Sequence, residues 1–148
     1  METLLNYVKT TIIADATLSG YVKKTEITAP RTLPEVKTSQ VPWIGIAPVN
    51  SPEQWATNKK KKASHTVEIY AVTWLQLRET AIVGSGTLKG ITDIARDISS
   101  AIRGEKFSGY LSAPTDIQSV DYATAGYGDQ LYLLVATITL NCQRLFDV

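Results

Sequence analysis

Hydrophobic positions in the first eighteen residues recur at helical spacing. Leu4, Leu5, Val8, Ile12 and Ala16 fall on one arc at about 100° per residue, which predicts a helix from about 2 to 18. Ser19-Gly20 supplies its stop signal. The period then changes. Residues 21–28 read as a strand, and 43–49, Trp-Ile-Gly-Ile-Ala-Pro-Val, read as a short second one with Pro48 at its edge or end. Between them, 29–42 carries Pro30, Pro34 and Pro42 without a period and reads as a long surface loop. Residues 50–62 read as a second polar loop, holding Trp55 and the run Lys59-Lys60-Lys61-Lys62.

From 63 to 75 the chain is rich in Val, Ile, Tyr, Thr and Trp, a strong strand pattern. Its faces are His65/Val67/Ile69/Ala71/Thr73 and Thr66/Glu68/Tyr70/Val72/Trp74. The clearest helix spans about 87 to 103. Leu88, Ile91, Ile94, Ala95, Ile98, Ala101 and Ile102 form its apolar arc, and Gly104 stands at its C-terminal cap. A strand over 117–125, a turn at Gly126-Tyr127-Gly128-Asp129 and a long strand over 130–144 close the chain as a hairpin. The order α-β-β-β-α-β-β predicts an α+β, two-layer sandwich. A mostly antiparallel sheet of four to five strands carries two helices on one face, as a single domain over 1–148 with long loops.

The faces of the sheet are unequal to the helices available. Tyr132, Leu134, Ala136, Ile138, Leu140 and Cys142 make one apolar face of the last strand, yet Leu131, Leu133 and Val135 are apolar on the other. Tyr70, Val72 and Trp74 repeat this in the central strand. Two helices cover one face. A neighbouring subunit at Tyr70, Val72 and Trp74 is the reading favoured here, with the long loops folding over that face as the alternative.

Composition narrows the function. Fifteen Lys+Arg against fourteen Asp+Glu leaves a net charge of +1, without the basic excess of a nucleic-acid coat. A single cysteine excludes an intrachain disulfide framework, and a single histidine argues against zinc and His-rich metal centres. No apolar run approaches a membrane span, and Met1 to Leu5 has neither the basic nor the apolar region of a signal peptide, so a reducing cytoplasm or a particle assembled there is expected. Ser64 and His65 are strand neighbours pointing to opposite faces, and Cys142 reads as a small core thiol. Asp93 and Asp97 lie among Lys89 and Arg96 on a polar helix face, a solvated and charge-balanced pattern. Gly84-Ser-Gly-Thr-Leu-Lys-Gly90 places its third glycine one residue late for a dinucleotide loop, and Ser85 or Thr87 reads better as a helix cap. No catalytic, metal or cofactor residues are expected. The candidate contact for a partner or a lumen is Lys59 to Lys62 with Trp55.

The element order, the Pro-Trp-Ile-Gly-Ile-Ala-Pro segment at 42–48, the strand from His65, the helix 88–102 and the closing strand 131–140 together resemble the tail terminator (tail-completion, head–tail joining) proteins of long-tailed bacteriophages. The resemblance spans nearly the whole chain and rests on order and texture rather than on a motif. It implies a hexameric ring at the neck end of a virion tail, assembled in the host cytoplasm. Such a ring caps the tail-tube protein, ends tube polymerisation and presents a surface to a head-completion or connector protein. DNA passes through the lumen without specific binding, no membrane is involved, and no catalysis is implied. Another neck or tail-assembly component, a nucleic-acid-binding α+β module and a small enzyme or small-molecule binder are the alternatives weighed beside it.

Overall fold

The computed structural model describes residues 1–30, 40–74, 84, 89–127 and 131–148. Helices α1 (Glu2–Ala14) and α2 (Ala16–Ser19) open the chain. Strands β1 (Lys24–Ile27), β2 (Trp43–Asn50), β3 (Glu53–Thr57) and β4 (Lys60–Trp74) follow. Helix α3 (Ile91–Ile102) and strands β5 (Asp116–Tyr127) and β6 (Leu131–Asp147) complete it. The fold is α+β, with one six-stranded sheet in the order β1-β2-β4-β6-β5 and β3 paired to the start of β4.

The expected first helix is two. Asp15 takes an extended conformation between them, and its carboxylate accepts a hydrogen bond from the Leu18 amide at 3.0 Å, capping α2. Helix α3 starts at Ile91, later than predicted. Asp93 turns back to accept from the Gly90 amide at 3.3 Å, so the N-cap of this helix is Gly90; Ser85 and Thr87, the caps expected, lie outside the described residues. At its other end Gly104 has φ +79, the left-handed geometry that suits glycine after a helix.

Residues 50–62 correct the expectation of a loop. Glu53 to Thr57 pair antiparallel with Lys60 to Ala63, and Asn58-Lys59 form the turn. All five β3 residues are exposed, so no buried face imposes the alternation by which strands are recognised. β1 and β2 pair in parallel, Lys24 against Trp43 through Ile27 against Ile46, the one departure from antiparallel pairing among the described strands. Gly126 and Tyr127, expected in a turn, continue β5, and 128–130 lie outside the described residues.

The main core lies between the helices and one sheet face. Leu4, Val8 and Ile12 of α1 and Ile94, Ile98 and Ile102 of α3 meet Ile44, Ile46, Val67, Ile69, Ile138 and Leu140. This is the period-2 face of β2, β4 and β6 answering the helical arcs. β4 and β6 pair without interruption from Lys60 opposite Asp147 to Trp74 opposite Leu133. At roughly 3.3 Å per residue, the fifteen residues of β4 extend about 50 Å. The exposed hairpin β3–β4 and the end of β6 form the tip of this ribbon.

Candidate functional site

The tip gathers the lysine run in a way a loop would not. Lys59 sits in the turn, and Lys60, Lys61 and Lys62 belong to β4, so their side chains alternate between faces. Lys61 shares the helix-side face with Trp55, its partner on β3, and Phe146, its partner on β6. Its ammonium lies 4.9 Å from the Trp55 ring centre and 3.7 Å from the Glu53 carboxylate. Lys60 and Lys62 take the other face, opposite Asp147 and Leu145, with Lys60 3.9 Å from the Asp147 carboxylate.

Two further residues extend this row. The Arg144 guanidinium lies 4.4 Å from the Tyr110 ring and 5.5 Å from Phe146. Tyr110 leads on to Tyr7, which stacks on Phe107. Trp55, Lys61, Phe146, Arg144 and Tyr110 thus form a ridge of alternating rings and cations from the tip to the helical layer. Trp55 remains 60% exposed. Sequence reasoning found Lys61 and Trp55 and missed Arg144, Phe146 and Tyr110. The spacing of Arg144 and Phe146, two apart at a strand end, was the available signal.

The second sheet face holds its own cluster of Val41, Trp43, Ala47, Tyr70, Val72, Leu133 and Val135, with Trp74 packed against it. Of the three candidate interface residues, Tyr70 is 4% exposed and Val72 is fully buried within the single chain. Their cover is intramolecular, so these two side chains offer no surface to a neighbour. Trp74 keeps a partly exposed side chain. The Tyr70 hydroxyl donates to the Glu68 carboxylate on the same strand face.

His65 belongs to β4. It is 6% exposed on the helix-side face of β4, directly opposite Cys142 on β6. Its Nδ1 is 2.8 Å from the Ser51 hydroxyl, while Nε2 has no hydrogen-bond partner. Burial lowers its pKa below 6.5, assisted by the N-terminal ammonium and Arg144 and opposed by Glu53. Burial pushes the Cys142 thiol up to about 12, so it stays protonated near neutrality. A protonated thiol is a poor nucleophile and a poor metal ligand. Among the described residues, no group of three or more His, Cys, Asp or Glu side chains is placed to hold a metal. No described helix is long and apolar enough to cross a membrane.

Asp93 and Asp97 have structural partners. Asp97 accepts from the Tyr21 hydroxyl at 2.8 Å and lies 3.8 Å from Lys89 and 3.6 Å from Arg96. Burial, then the Asp97 contact, raises the Tyr21 pKa. Asp93 caps α3 and pairs with Arg96 at 3.2 Å. Of the glycine-rich segment, residues 85–88 lie outside the described residues, and Gly84 has φ +80.

No protein-family model matches the chain, and no curated protein matches it.

Proposed function

We propose that this chain is a structural protein of a long-tailed phage particle. It forms a hexameric ring that caps the tail tube, ends tube polymerisation and presents a joining surface to the head. The observation that best supports this reading is the long β4–β6 ribbon, whose exposed basic-aromatic tip projects from a small two-layer domain. A ring protein has to touch copies of itself on two sides and different proteins on its two rims. Exposed strand edges serve the first need. A tip that exposes Trp55, Lys59 and Lys60 serves the second. The resemblance of the sequence to the tail terminators is the other support for this reading.

Lys59 to Lys62 and Arg144 also support a second reading, a nucleic-acid-binding module, because cations beside an exposed Trp55 suit a single strand. Glu53 and Asp147 offset two of these lysines at the tip, which favours the first reading.

The deciding experiment is native mass spectrometry of the purified chain with negative-stain images, alone and with added tail-tube protein. Closed sixfold rings, and arrest of tube growth on addition, are expected. A chain that stays monomeric in both arms overturns the ring. Binding to single-stranded oligonucleotides with a steep salt slope would favour the second reading.

A further inference from the structure

The two outer sides of the sheet differ in how they are protected. β1 carries the Lys24–Glu26 pair, 3.2 Å apart, on a strand of four residues. β5, at the opposite side, is twelve residues long, and among the described strands none pairs with its outer edge. Exposed edges are ordinarily blunted by lysine, proline or distortion. β5 has no lysine, arginine or proline, and one bulge between Ile117 and Ser119 is its only irregularity. Asp116 and Asp121 are its charges. Both are exposed, and their register opposite Asn141 and Thr137 puts them on the face away from the helices.

Lys60 and Lys62 lie on that same face, at the other side of the sheet, behind the exposed strand β3. In a closed ring each copy is related to the next by one rotation about a common axis, so a sheet continued between them keeps its faces aligned. Acidic β5 and the lysine-backed β3 therefore meet with opposite charges on one face. We infer that β5 of one copy pairs with β3 of a second copy, extending the sheet head to tail. The inference rests on the ring reading and names its seam. Because the paired edges are different, the contact is heterologous, and it propagates until the rotation closes. Main-chain hydrogen bonds supply the affinity, and the aspartates and lysines select this pairing over β5 against β5.

A charge swap tests the seam. Asp116→Lys/Asp121→Lys gives a chain with a basic β5 and a basic tip. Lys60→Glu/Lys62→Glu gives a chain with an acidic β5 and an acidic tip. Each alone is expected to lose at least about tenfold in self-association at low salt, since like charges now face each other. Mixed one to one, the two recover wild-type assembly as rings in which the variants alternate, counted by native mass spectrometry. Recovery on mixing also shows that both variants fold. Wild-type rings with both variants assembling normally overturn the seam and leave the ring reading standing. A Lys60→Glu/Lys62→Glu chain that associates only as closed dimers puts β5 against β5 and overturns it as well. Wild-type protein that never forms rings, with or without tube protein, overturns the ring reading and the seam together.

Discussion

The indole of Trp43 lies across Gly45, two residues along the same strand face. A β-carbon built on Gly45 would stand 2.2 Å from the Trp43 Cη2 and 2.7 Å from Cζ3. The ring passes over the glycine to β1, where its Nε1–H donates to the Glu26 carboxylate at 2.9 Å. The largest buried side chain of the second face is thus seated by an absent one.

Gly45→Ala therefore displaces the ring instead of filling space. A loss of about 1–3 kcal/mol is expected, the usual cost of overpacking. Trp43→Ala should cost more, about 3–5 kcal/mol, because the ring is fully buried. Urea denaturation gives both. A neutral Gly45→Ala would show that the indole has another place to go.

Stability should depend on pH through His65. Its folded pKa is lowered, so the unfolded chain binds the proton more readily. The contribution is fully present above the unfolded value of about 6.5 and is lost as pH falls from there toward the folded pKa. His65→Gln should flatten the slope below about pH 6.5, measured by denaturation midpoints at several pH values. An unchanged slope would assign the dependence to other groups.

Tyr21 and Asp97 join the segment after α2 to α3. In a cycle of Tyr21→Phe and Asp97→Asn, a coupling of about 0.5–1.5 kcal/mol is expected, as for a part-buried hydrogen bond. Tyr21 should also ionise above the ordinary tyrosine range in an alkaline titration followed by absorbance, compared with Tyr21→Phe. Zero coupling would mean that Lys89 and Arg96 hold Asp97 without it.

Cys142 is fully buried and its thiol is pushed up to about 12. Reaction with a thiol-specific disulfide reagent at pH 8 should await unfolding. Labelling should be at least about a hundredfold slower in the native protein, because it follows the small open population. Rapid native labelling would expose the site and contradict the core assignment.

Most of the architecture is legible in hydrophobic periodicity alone. The arcs of α1 and α3 and the alternation of β4 and β6 each face a buried layer, and a buried layer writes its period into the chain. The sequence also revealed that the second sheet face is too apolar to stand in water. It did not reveal what covers that face, because apolarity reports the need for burial and not the partner that meets it. Tertiary structure puts Tyr70 and Val72 inside the single chain. It also made a strand of Glu53 to Thr57, where no buried face leaves a pattern to read and pairing with β4 alone selects the conformation. Registers between distant segments likewise have no local signal. They set Cys142 opposite His65, brought Arg144 and Phe146 beside Lys61 and Trp55, and put the aspartates of β5 on the same face as Lys60 and Lys62.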